Sequence, residues 1–195
     1  MRAATSAVYF ARDGRQATMD AARRIPALTH GDSAAWEGTA IFHESVRLAL
    51  VGGEPLAGLP EVLTHVSPHH RERLEIVLAP TWNPGDATEY NGAVWPCLGS
   101  AVWAVRTTTS FEAAVRAAVD LGGDTDTVAA VTGGLAGAIY GLDAVPARWP
   151  EPLRLPLPGQ GGWVMRLPAR PGSEEAPAGV RGVWALRRRT PGAAT

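Results

Sequence analysis

The sequence of 195 residues contains no lysine, so all 18 of its Lys/Arg positions are arginine. Formal net charge is −1. A chain so balanced exerts no overall pull on nucleic acid or on an anionic bilayer, and neither partner is expected. Cysteine occurs once, as Cys97, close to Val94, Trp95 and Leu98. That excludes an internal disulfide and favours a small buried thiol over a nucleophile. Apolar runs of the roughly 20 residues needed to span a bilayer are missing. A brief apolar run within residues 1–10 is followed at once by Arg12, Asp13 and Arg15, which is not the flank of a signal peptide. The expected compartment is therefore the cytoplasm. Period-two alternation is also missing before residue 150, which leaves helices as the framework.

What is present reads as one helical body. Helices are expected over residues 2–12, 15–27, 34–51, 60–66, 93–106 and 111–121, with another opening at Ser67-Pro68. The clearest are 93–106 (Val94, Cys97, Leu98, Ala101, Val105) and 111–121 (Phe111, Ala114, Val115, Ala118), whose apolar residues recur at i, i+3 and i+4. Asp32 or Ser33, Ser67, and Thr109 or Ser110 stand where N-caps belong. Beyond Trp149 the character changes to dense proline and glycine with arginine patches, ending near Arg187-Arg188-Arg189. Leu153, Leu155 and Leu157 alternate, and 163–165 and 183–186 could each form a strand. Two readings stand for 151–195: a small β-ribbon, or an extended and partly disordered tail.

The chemistry concentrates in Gly122-Gly123-Asp124-Thr125-Asp126-Thr127, between two predicted helices. Residues 128–142, which follow, carry no charge. Two carboxylates and a hydroxyl with no soft donor suit a hard divalent cation such as Mg²⁺, Mn²⁺ or Ca²⁺. The competing reading is structural: Asp124 caps the helix and Asp126 favours its positive end. Glycine recurs at Gly133, Gly137 and Gly141, beside Gly134 and Ala138. Each glycine costs a helix about 1 kcal/mol against alanine, so the row implies close packing of a central helix. Buried carboxylates at its start would then need a neutralising cation.

The run from Leu121 through Val128, followed by Ala129-Ala130-Val131-Thr132-Gly133-Gly134-Leu135-Ala136-Gly137-Ala138, resembles the C-terminal signature of the ADP-ribosylglycohydrolase family. The likeness extends back through Asn91-Gly92 and Phe111-Glu112-Ala113-Ala114, and forward to Tyr140-Gly141 and Trp149. Thr29-His30-Gly31-Asp32 resembles the family's Thr-His loop, and Met1-Arg2-Ala3 its Met-Arg segment. Residues 1–150 are covered and the tail is not. The resemblance implies an all-α orthogonal bundle with two Mg²⁺ ions, which bind ADP-ribose and promote hydrolysis of a glycosidic bond. It makes Asp124, Asp126 and Thr127 metal ligands and puts His30 beside the substrate, while no catalytic base is assigned. The substrate would be an ADP-ribosylated protein or a small molecule containing ADP-ribose.

The family's remaining metal ligands lie in an N-terminal half with Gly-Asp-Ala-type and Thr-Asp-Asp-Thr segments, and this chain starts where the second half starts. The expectation is an N-terminally truncated bundle (1–150) with a Pro/Gly/Arg-rich extension (151–195). It would be inactive alone and would retain either half of a hydrolase or a non-catalytic ADP-ribose-binding module. Uncovered apolar surface at Ile41, Leu50 or Val94 would favour self-association or a complementing N-terminal half. His65, His69 and His70 are expected at a solvated helix start rather than as a second metal site. His43 is expected at the core edge, and Glu37, Glu44 and Asp86 are the unassigned candidates for a general base.

Overall fold

A computed structural model of the chain describes residues 3–149, 155–156 and 164–165. Its contacts divide it into a unit of residues 1–144 and a unit of residues 145–195. In the second, β1 (Leu155–Pro156) pairs antiparallel with β2 (Val164–Met165), Leu155 opposite Met165. β2 falls within the strand expected at 163–165, and β1 within the alternating stretch 153–157. The expectations for the strand at 183–186 and the arginine run lie outside the described residues.

The first unit is all-α. Its helices are α1 (Ala4–Phe10), α2 (Gly14–Arg24), α3 (Ser33–Leu50), α4 (Leu59–Leu63), α5 (Pro68–Leu78), α6 (Val94–Thr107), α7 (Phe111–Asp120) and α8 (Thr125–Tyr140). Asp32 caps α3 by accepting from Ala34 N at 2.8 Å, and Ser110 caps α7 by accepting from Ala113 N at 3.2 Å. Ser67 is the N-cap of α5 but makes no side-chain cap bond, so Pro68 at the first turn carries that start.

Two long helices, α3 and α8, pack on each other at the centre. α1 and α2 flank α3, while α6 and α7 flank α8. The close approach falls on Gly134: a Cβ there would lie 3.0 Å from both Ala4 Cβ and Phe42 Cζ. At Gly133 and Gly137 the nearest atoms would be 3.8 Å away, ordinary contact. The glycine row therefore opens one tight seam, toward α1 and α3, rather than several. Gly141 has a different task, ending α8 at φ +81°.

Ile41 is fully buried and Val94 packs its Cγ2 against Gly38, so neither is the open apolar surface anticipated for them; Leu50 is half-buried. The reason is that α6 packs across α3. Core burial also takes in His43, at 0% exposure, not the core edge. Its Nε2 lies 2.8 Å from Ala3 O and 2.9 Å from Ser6 Oγ, and burial lowers its pKa, which favours the neutral ring.

Cys97 is buried in a cluster with Ala104, Ala118 and Val128, and burial pushes its thiol up to about 11. The thiolate is the reactive form. Cys97 should therefore ignore a disulfide exchange reagent such as Ellman's at pH 8 until denaturant is added. Stoichiometric release of chromophore within minutes from the folded chain would contradict this burial.

Candidate metal centre

α7 ends at Asp120, and the chain turns through Gly122 and Gly123, at φ +72° and +67°. Both sit in the left-handed region, which glycine enters without the penalty a Cβ brings. The turn delivers Asp124 as the N-cap of α8. Its Oδ1 accepts from Thr127 N at 3.4 Å, much longer than the 2.8 Å cap made by Asp32. Good N–H···O bonds lie near 2.9 Å, so capping makes weak use of this carboxylate. The other oxygen, Oδ2, faces Gly92, where any Cβ would overlap it. That recess exists because residue 92 has no side chain.

Asp124 is half-buried and Asp126 is exposed. This corrects the expectation of two buried carboxylates. α8 is central along its length, but its first turn opens to solvent. Hydrogen bonding from Thr127 holds the Asp124 carboxyl below the usual carboxylate range. Asp126 and Thr127 follow Asp124 in the first turn of α8. None of the arginines that form ion pairs among the described residues pairs with either carboxylate.

The electrostatic balance can be judged by size. The helix start carries about half a positive charge, which favours carboxylates and opposes a cation. Two ionised carboxylates supply about four times as much of the opposite sign, so the site as a whole attracts a cation. The donors fit Mg²⁺ in kind: hard oxygens, closely spaced, with room for the waters that Mg²⁺ keeps. They do not make a full cage, since no cluster of three or more His, Cys, Asp or Glu suited to a metal occurs among the described residues.

Asn91 completes the geometry, and sequence reading gave it no role. Its Oδ1 accepts from Asp124 N at 2.9 Å, and its Nδ2 donates to Gly122 O at 2.8 Å. The partner lies 33 residues away, so no local pattern reveals it. Beside this turn an open cavity of about 420 Å³ is lined by Pro84, Ala87, Glu89, Tyr90, Leu121 and Gly123, with Asn91 at its edge. That volume is in the range of small-molecule sites.

His30 occupies a separate loop, exposed, with Nδ1 2.8 Å from Thr29 Oγ1 and its carbonyl accepting from Trp36 Nε1 at 2.9 Å. Asp124, Asp126 and Thr127 share the start of α8, and His30 lies on the approach to α3. The three histidines of residues 65–70 do not converge on a metal. His70 is buried, its Nε2 2.8 Å from Ser33 Oγ and its ring packed near Trp95; His65 meets Arg15. Burial of His70 corrects the solvated reading for that residue. Glu37 and Glu44, considered as bases, are buried partners of arginine: Arg23 holds Glu37, and Arg15 and Arg47 hold Glu44. Asp86 accepts from Asn83 N in a capping box.

Comparison with known proteins agrees with this architecture. The sequence profile of the ADP-ribosylglycohydrolase family matches residues 1–179, past the point where the resemblance read from the sequence ends. A solved structure described as an ADP-ribosylglycohydrolase-related protein complex superposes with a TM-score of 0.55 at 38% identity, over 67% of this chain and 46% of that one. The chain belongs to the ADP-ribosylglycohydrolase family. Among curated relatives, ADP-ribosylarginine hydrolase Tri1 of Serratia proteamaculans (strain 568) is 43% identical over 68 residues, 35% of this chain and 19% of that protein. Human ADP-ribosylhydrolase ARH3 is 54% identical over 33 residues, 17% of this chain and 9% of that protein. The chain thus spans a minor part of the curated relatives it matches.

Proposed function

We propose that this chain carries the Asp-Thr part of a divalent-metal centre that serves hydrolysis of ADP-ribosylated substrates. Asp124, Asp126 and Thr127 would hold Mg²⁺, and His30 would lie beside the ADP-ribose. The observation that supports the reading is the Asp124 carboxylate facing the recess that Gly92 leaves open, with Asp126 and Thr127 following it in the first turn of α8. When bound, Mg²⁺ supplies charge neutralisation and orients ribose hydroxyls and water. The residues themselves act more simply: Asp124 and Asp126 concentrate negative charge, Thr127 adds a neutral oxygen, and the left-handed glycine turn fixes where that charge is presented.

Two carboxylates and a hydroxyl are too few to order two Mg²⁺ ions, and no further cluster joins them among the described residues. This favours a binding role for the chain on its own, with turnover requiring ligands beyond the described ones. Those ligands would come from a complementing N-terminal half or from a second copy.

Calorimetric titration with ADP-ribose should give saturable heat with Mg²⁺ present, and none after chelation or in Asp126→Ala. Metal-dependent binding that survives Asp126→Ala sinks the proposed site. Release of free ADP-ribose from an ADP-ribosylated arginine peptide by this chain alone would replace the binding reading with a catalytic one.

A further inference from the structure

We propose that Asn91 is the positioning residue of the metal centre: it locks the glycine turn so that Asp124 is presented ready to bind a cation. The inference rests on the metal reading given above and goes beyond it. Gly122 and Gly123 have no Cβ, and glycine adopts positive and negative φ about equally. Nothing intrinsic to them holds φ at +72° and +67°. A turn of this kind would wander, carrying Asp124 with it, unless something outside it supplied a lock.

Asn91 supplies that lock with both ends of one amide. Asp124 N can only donate and Gly122 O can only accept, so the amide orientation is fixed: Oδ1 toward Asp124 and Nδ2 toward Gly122. The two bonds grip the peptides on either side of Gly123. They therefore restrain the two softest residues of the turn at once. Asn91 is also close to the turn in the crowded sense, since a Cβ on Gly123 would overlap its Oδ1.

The lock has its own mooring. Ala93 N donates to Tyr90 O at 2.8 Å, closing a turn around Asn91 just before α6. Upstream, Arg73 of α5 donates to Thr88 Oγ1 at 3.1 Å and pairs with Glu89. Gly92 then gives Asp124 Oδ2 its recess. Adjacent residues thus do complementary things to one aspartate: Asn91 holds its backbone and Gly92 makes room for its carboxylate.

Two substitutions separate positioning from other roles. Asn91→Ala removes both bonds. Asn91→Asp keeps an acceptor for Asp124 N but loses the donor to Gly122 O and adds negative charge. If Asn91 were itself a ligand, or served only through local potential, Asn91→Asp would tighten cation binding. Positioning predicts weaker binding, because a carboxylate there faces the Gly122 carbonyl and loosens the turn.

The test is Mn²⁺ titration of the full chain followed by paramagnetic resonance of the free ion, at a temperature well below the melting point of each variant. Metal-free melting is recorded in parallel. The expected result is Mn²⁺ binding by wild type, none by Asp126→Ala, and at least tenfold weaker binding by both Asn91 variants. Should Asn91→Ala fail to fold, Asn91→Asp alone decides. Wild-type affinity in a folded Asn91 variant, whatever its melting temperature, overturns the positioning role and leaves the metal centre standing. Tighter binding by Asn91→Asp overturns it too. Absence of Mn²⁺ binding by wild type, or retained binding by Asp126→Ala, overturns the metal reading and this inference with it.

Discussion

Glu44→Ala should lower the stability of the helical unit by about 3 kcal/mol, the low end of what breaking a buried ion pair removes. Glu44 has no exposed side-chain surface, and it accepts from Arg47 Nε at 2.6 Å, Arg47 Nη2 at 2.7 Å and Arg15 Nε at 2.9 Å. Truncation leaves Arg47, whose side chain is only 13% exposed, without its carboxylate. Arg15 is better placed, because it keeps Glu61 at 2.6 Å, and that second partner sets the estimate low in the range. Glu61 is 67% exposed, so Glu61→Ala should cost far less than Glu44→Ala.

The same pair has a pH signature. Burial alone would raise the Glu44 pKa, but hydrogen bonds from Arg47 and Arg15 outweigh it and lower the pKa below its ordinary 4.5. A carboxyl lowered on folding contributes stability above its unfolded pKa and loses it as pH falls through the folded value. The gap between wild type and Glu44→Gln in urea unfolding should hold from pH 7 to about pH 5 and shrink below pH 4.5. A gap that widens on acidification, or a Glu44→Ala loss below 1 kcal/mol, would refute this account.

Gly123→Ala should damage the turn far more than Gly122→Ala. An alanine at φ +67° costs about 1–2 kcal/mol in backbone strain. Its Cβ would also overlap Asn91 Oδ1, and breaking the two Asn91 bonds removes about 1 kcal/mol each. Gly122→Ala shares the strain, at φ +72°, but meets nothing within 4 Å. Gly123→Ala should therefore lose about 2 kcal/mol more than Gly122→Ala in chemical denaturation. Equal losses would mean that the contact with Asn91 contributes nothing.

The helices were legible because each announces itself locally. α6 and α7 repeat apolar residues at helical spacing, and Asp32, Ser110 and Asp124 stand at their caps. The motif proposed to hold a metal stands out in the sequence for the same reason: its oxygens lie within four residues. What escaped is what depends on distance along the chain. Glu37 looked like a free carboxylate because its arginine is 14 residues away, and Glu44 because Arg15, which shares it with the neighbouring Arg47, is 29 residues away. An arginine-only basic complement makes no single arginine conspicuous. Ile41 looked uncovered because a stripe on α3 does not say that α6 crosses it. The burial of Asp124 was overestimated because a helix central along its length can still open to water at its end.

The two Asn91 bonds have one more consequence, for how the site comes into being and comes apart. Asn91 stands just before α6 and its partners just after α7, so these bonds fasten the mouth of a loop containing that whole helix pair. Closing a flexible loop of 33 residues would cost about 3 kcal/mol in chain entropy, which packing of α6 and α7 on α8 has already offset. The proposed cation site is therefore not a local loop that breathes alone. It is the clasp of a foldon, and hydrogen exchange at the Asp124 amide should report the opening of α6, α7 and the first turn of α8 as one event.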